Sequence, residues 1–220
     1  MSSPLRERDF RLLWIGGLIS EAGDWLLLVS LPILVFQLTG SALGTAIAFL
    51  VELAPGILLS PLAGHVADRW DRRRILVVLL LVQAVALLPL LALRDAGDLW
   101  IGYAVITVQA ALFTVFEPTK NALLPTLVPA DRLVAANSLV GLNQNLGRLV
   151  GAPLGGLLLA VGSLTTIVVV DAVSFVLAAA LIIRIRRVTA ARVAAAGTEE
   201  EPARRSAWWP PACSATGWAW

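Results

Sequence analysis

The chain has 220 residues, 58% of them hydrophobic and 15% charged, with a formal net charge of +2 and a mean hydropathy of +0.83. A water-soluble domain is about half apolar and a quarter charged; no packed core of this length hides so much Leu, Ala and Val, so lipid is the solvent for most of the chain. A single cysteine, Cys213, and a single histidine, His65, exclude a disulfide within the chain, a cysteine metal cage and a paired-histidine zinc site, and no cofactor is expected.

Residues 1–11 (MSSPLRERDFR) are charged and amphipathic and read as a cytosolic lead-in helix. Six apolar segments follow, at 12–38, 42–66, 75–93, 99–116, 139–161 and 164–183. Each is near the ~20 residues that a helix needs to cross ~30 Å of hydrocarbon. Pro32, Pro55 and Pro61 fall in the first two, where membrane helices tolerate them as kinks. The transmembrane bundle is expected over 12–187. Its first four helices lie in 12–119, a short cytosolic linker or surface helix with Pro125, Pro129 and Asp131 in 120–136, and helices five and six in 137–187. The remaining 188–220 read as a cytosolic tail, disordered or out of frame. The stretch WWPPACSATGWAW at 208–220 holds half of the chain's 8 tryptophans, and the tryptophan codon read one base earlier encodes Leu, Val or Met.

The basic residues sort by loop. Arg6, Arg8 and Arg11, then Arg69, Arg72, Arg73 and Arg74, then Lys120 and Arg132, then the tail arginines from Arg184 onward fall on one side, and Arg94 alone on the other. The positive-inside rule puts both termini in the cytosol, in agreement with an even number of spans. Arginine supplies all but one of the 17 basic residues. That bias points to a GC-rich bacterial gene, and with it to the bacterial plasma membrane.

The second connection reads Gly64-His-Val-Ala-Asp68-Arg69-Trp-Asp71-Arg72-Arg73-Arg74. A glycine there lets two helices approach closely. Asp68 at a helix end can bond a helix terminus or an arginine, and the arginines suit acids and lipid phosphates. The plainer reading is a positive-inside loop that contains acids. In the fifth segment Gly147, Gly151 and Gly155 recur at i, i+4 and i+8 and form one smooth stripe, continued by Pro153 and Gly156. Within the apolar spans lie Glu21, Asp24, Glu52, Arg148 and Asp171. A charge at the bilayer centre costs roughly 2.5–3.5 kcal/mol on insertion scales, so such residues face a cavity or pair. Glu21 and Asp24, three apart, share a helix face, and Asn143, Gln144 and Arg148 form a polar patch. These make Asp24, Glu21 and Arg148 the coupling and cavity candidates. For Asp171, Glu52 and Glu117 a structural pair or a surface position is the simpler reading. Trp14, Trp25, Trp100 and Tyr103 fit interfacial anchors, and His65 a spectator.

The loop resembles the signature of the major facilitator superfamily, Gly-x-x-x-Asp-Arg-x-Gly-Arg-Arg/Lys, matched by Gly64, Asp68, Arg69, Arg72 and Arg73. It departs at Asp71, in a form familiar from the drug- and siderophore-exporter branch. FRLLW at 10–14, Ser20 with Gly23-Asp24-Trp25, LTGSA at 38–42, EPTKNALLP at 117–125 and LVAANSL at 133–139 are similar to segments of that branch in the same order. The fifth segment resembles the exporter signature Gly-Pro-x-x-Gly-Gly, with Pro153 two residues after Gly151 instead of one. The resemblance implies an all-α membrane protein of six transmembrane helices arranged as an inverted 3+3 repeat, half of a twelve-helix transporter. PLAG at 61–64 and PLGG at 153–156 would then be repeat-related. It also implies a conformational gate at the loop and export by alternating access of a small amphipathic molecule coupled to protons. The partners are then the lipid bilayer, the substrate, protons and a missing C-terminal six-helix half, with no nucleic acid. A non-transporting truncated remnant or membrane scaffold is the competing reading. A membrane enzyme would have only a carboxylate pair such as Glu21 and Asp24 to work with.

Overall fold

The computed structural model describes residues 3–69 and 71–186, with the side chains of 60–69 excepted. The tail expected over 188–220 lies outside the described residues. Six α-helices account for most of the rest: α1 (Arg8–Thr39), α2 (Ala42–Arg69), α3 (Arg72–Ala86), α4 (Leu99–Leu127), α5 (Leu133–Val161) and α6 (Leu164–Ile182).

Local chemistry sets the ends. Gly40 closes α1 in the left-handed conformation, φ 63°, and its N–H donates to Phe36 O at 2.8 Å; a side chain at that φ would be strained. Two residues later α2 begins, so the first turn is very tight. Asp71 caps α3 by accepting from the N–H groups of Arg73 and Arg74, which accounts for an acid where the loop signature prefers glycine. Ser163 caps α6 by accepting from Thr166 N–H. Between α3 and α4 the chain tightens into 3-10 turns at Leu88–Ala92 and Ala96–Asp98, where Pro89 withholds a donor from a continuing α-helix.

Two expectations shift. The charged lead-in is not separate, because α1 runs unbroken from Arg8. The linker expected over 120–136 is mostly helical: α4 continues through Pro118 and Pro125 to Leu127, and only 128–132 lie between it and α5. A helix packed in a bundle absorbs both prolines. In the same stretch the Thr114, Thr119 and Thr126 hydroxyls donate to the carbonyls of Ala110, Val115 and Leu123.

Five segments, Arg8–Thr39, Ala42–Leu59, Arg72–Ala92, Ala96–Leu127 and Leu164–Ile182, are long and apolar enough to cross a membrane. The sixth helix, α5, is as long at 29 residues, and Asn137, Asn143, Gln144, Asn145 and Arg148 lower its hydropathy. Large apolar side chains face outward all round the bundle. Leu43, Leu50, Ile57 and Leu58 of α2 and Leu149 and Val161 of α5 are mostly exposed, as lipid rather than water requires.

The helices pair in a symmetric pattern. α1 packs on α5 and α6, α4 packs on α2 and α3, and α3 meets α6. Exchanging the first three helices for the last three reproduces that pattern, as an inverted 3+3 repeat demands. The closest seam is α1 against α5. A Cβ at Gly151 would overlap Ala22 O and sit 2.8 Å from Trp25 Cβ, and one at Gly155 would sit 2.9 Å from Ser30 Oγ. Along the same seam Trp14 Nε1 donates to Leu139 O at 2.8 Å and Asn143 Nδ2 donates to Trp14 O at 2.7 Å. Gly156 has open space around it and Pro153 is exposed, so of the five residues expected in this packing only Gly147, Gly151 and Gly155 make it.

Candidate functional site

A cavity of about 370 Å³ opens between α1, α2 and α4. Glu21, Asp24 and Trp25 enter it from α1, Glu52 from α2, and Gln109, Phe113 and Thr114 from α4; Leu27, Leu31, Leu53 and Ile106 are among its apolar walls. Spacings of three and four residues put the three α1 side chains on one face. The size and the mostly apolar lining with few polar groups are those of a small-molecule site. Three carboxyl side chains are its acidic groups, and two aromatic rings supply flat apolar surface.

Beside the cavity lies a polar cluster that joins three helices. Lys120, 6% exposed, is ion-paired with Glu117 one turn earlier on α4 and stands 5.6 Å from the Phe116 ring centroid. The other oxygen of Glu117 accepts from Gln144 Nε2 of α5 at 3.3 Å. Glu21 of α1 is buried and lies within reach of both charges. The sequence reading put Lys120 in the linker and gave Glu117 a bland role. Their i, i+3 spacing was the available signal, hidden by the assumption that the helix ended at Phe116.

The sequence candidates separate in space. Glu21 and Asp24 meet at the cavity, but Arg148 does not join them. Its guanidinium stacks on the Trp25 ring, 4.9 Å from the centroid, and among the described residues no ion pair links it to Asp24. Trp25, expected as an interfacial anchor, is instead a cavity wall. Glu52, expected as structural, also lines the cavity. Asp171 is fully buried where α6 meets α1.

Of the gate residues, the side chains of Asp68 and Arg69, and Gly64 with them, lie outside the described residues. The other two pin the start of α3 to its neighbours. Arg72 Nη1 donates to Ala122 O of α4 at 2.9 Å. Arg73 donates through Nε to Ile182 O at 3.3 Å and through Nη2 to Ile183 O. Those carbonyls end α6, where the helix dipole is negative, so a guanidinium is favoured there. Arg73→Ala should therefore destabilise the bundle by about 1.5–3 kcal/mol, the range for hydrogen bonds to a charged group. Amide exchange should accelerate in the last turn of α6 and stay unchanged at the α1–α5 seam. Equal protection in wild type and variant would show that the clip is idle.

A family model described as "Transmembrane secretion effector" matches residues 1–201. The chain is 30% identical over 185 residues to the uncharacterized MFS-type transporter YfiS of Bacillus subtilis, covering 83% of this chain and 44% of that protein. It is 34% identical over 157 residues to the multidrug efflux pump Tap of Mycolicibacterium fortuitum, 68% of this chain and 38% of the relative. With macrolide efflux protein A of Streptococcus pyogenes the identity is 25% over 179 residues, 80% of this chain and 44% of the relative. The chain thus spans less than half the length of these relatives. No solved structure matches it. Six helices in a symmetric 3+3 arrangement, five of them long and apolar enough to cross a membrane, a cavity among them and a family match over most of the length lead to one assignment: the chain belongs to the transmembrane secretion effector family of the major facilitator superfamily.

Proposed function

We propose that this chain supplies one wall of a proton-coupled exporter of small amphipathic cations, with both termini in the cytosol. The carrying observation is the cavity, where Glu21, Asp24 and Glu52 stand beside Trp25 and Phe113 in otherwise apolar walls. In a water-poor site a carboxylate attracts a cation strongly, aromatic faces attract it further, and the apolar walls take the rest of an amphipathic molecule. Two relatives carry names of multidrug and macrolide efflux, which fits bulky amphipathic substrates. Asp24 is the coupling residue in this reading, since it faces the cavity and, among the described residues, no ion pair engages it. A proton and a cationic substrate then compete for one carboxylate, and each displaces the other as the cavity alternates between the two sides of the membrane. The loop residues Gly64, Asp68, Arg69, Arg72 and Arg73 form the cytosolic gate. Arg148, exposed on α5, faces the half of the transporter that completes the cavity.

The test is equilibrium binding of tetraphenylphosphonium to the purified chain in lipid nanodiscs. Because the ionised carboxylate is the binding form, acidification should weaken binding in the wild type. Asp24→Asn should weaken it at least tenfold at neutral pH, about 1.4 kcal/mol, and flatten its pH dependence. Wild-type affinity and pH dependence in that variant would refute the assignment.

A further inference from the structure

Asp171 is a buried acid that neither lines the cavity nor joins the Glu117–Lys120 pair. Asp171 lies near the middle of the 19-residue α6 and is 0% exposed. Its Oδ1 accepts from Ser174 Oγ at 3.4 Å, and its Oδ2 has no hydrogen-bond partner among the described residues. The pair is pressed against the α1 backbone at Gly23, where an added Cβ would collide with Asp171 Oδ1 and Ser174 Oγ and lie 3.2 Å from Ser174 Cβ. Glycine is the residue that leaves room for an acid and a hydroxyl on this seam, one position before the cavity residue Asp24.

The charged groups around Asp171 offer it no counter-ion. From α1 the nearby titratable groups are Glu21 and Asp24, both acids, and Asp24 lies close enough for the two carboxylates to repel when ionised. α3 has no titratable residue after Arg74. Its Arg73 holds the far end of α6, about three turns from Asp171. The 3-10 segment Leu88–Ala92 packed on α6 is wholly apolar. α5 carries one charge, Arg148, which is engaged with Trp25. A buried carboxylate with no cation and one orphaned oxygen is among the most unfavourable groups a fold can hold, and it takes up a proton instead of remaining charged.

We propose that Asp171 is a second proton-binding site, held protonated while α6 is closed on α1 and able to ionise only when that contact opens to water. Closing the seam takes one proton from hydronium in the cavity water onto the Asp171 carboxylate, breaking one O–H bond of the hydronium and forming one at the carboxylate, and opening returns the proton to water. The seam thereby becomes a proton-linked conformational element, with Asp24 on the cavity side sensing its charge. This deepens the coupling reading above and rests on it only for how the proton is used.

Infrared difference spectroscopy of the purified chain in lipid nanodiscs reads the protonated carboxyl stretch without any transport assay. At neutral pH the wild type should show such a band, and Asp171→Asn should lose it while Asp24→Asn keeps it. Ser174→Ala, which removes the hydroxyl donor but keeps the acid, should shift its frequency. Gly23→Ala, which forces the seam apart, should reduce its intensity at the same pH and speed its exchange in heavy water. Absence of the band in the wild type, or its persistence in Asp171→Asn, would overturn the proposal. Should Asp171→Asn fail to fold, a band unmoved by Ser174→Ala would overturn it equally. Failure of the tetraphenylphosphonium test alone would leave this result standing, so the two readings can fail separately.

Discussion

Lys120→Met is expected to destabilise the folded chain by about 3–5 kcal/mol, the range for removing one partner of a buried ion pair. The two side chains are 8% and 19% exposed, so little water is left to solvate the Glu117 carboxylate once Lys120 is gone. Gln144 still donates one hydrogen bond to it, but an amide does not neutralise a charge. The double variant Lys120→Met/Glu117→Gln should recover much of the loss, because no uncompensated charge remains. The contrast is Arg132 with Glu7, 26% and 44% exposed, where loss of the pair should cost at most about 1 kcal/mol. Denaturant unfolding of the purified chain in micelles measures all three. A Lys120→Met cost as small as the surface pair's would mean that the cluster is hydrated and would remove it from the site.

Gly151→Ala is the second large effect, a loss of about 1–3 kcal/mol, with Gly151→Leu abolishing the α1–α5 seam. The atoms that meet the new Cβ are the carbonyl oxygen of Ala22 and Cβ of Trp25. Neither can swing aside as a flexible side-chain end would, so the two helices must separate. Separation would stretch the bonds from Trp14 to Leu139 and from Asn143 to Trp14 and displace Trp25 from the cavity wall. Gly156→Ala is the control. It has open space, and alanine's better helix propensity, worth up to about 1 kcal/mol, should make it neutral or stabilising. Thermal unfolding midpoints separate the two, and equal midpoints would mean that the seam is not closely packed in the membrane.

Much of the architecture was legible in order along the chain. The apolar runs, the turn at Gly40 and the glycine stripe each reflect a local cause: span length, a helix-ending residue, a surface without side chains. Spacing alone also put Glu21 and Asp24 on one face. What spacing could not do was say which helix lies opposite. It suggested Arg148 as a companion of Asp24, and packing gave that guanidinium to Trp25. It ended the fourth span at Phe116, and the bundle carried α4 on through Pro118 and Pro125 to Leu127, which drew Lys120 and Glu117 inside. It left Asp171 bland, and the fold set it against Gly23 without a cation.

The reason is the solvent. In water, an apolar stripe marks the buried face of a helix, because the opposite face must be polar. In lipid both faces are apolar, so the same periodicity says that a segment spans the membrane and is silent about which side meets protein. Composition and punctuation therefore determined the number and order of the helices and the tightest of their turns. Only the tertiary structure decided the pairing of their few polar residues, because in a medium of low dielectric that choice depends on which charges and hydrogen-bonding groups packing brings within reach.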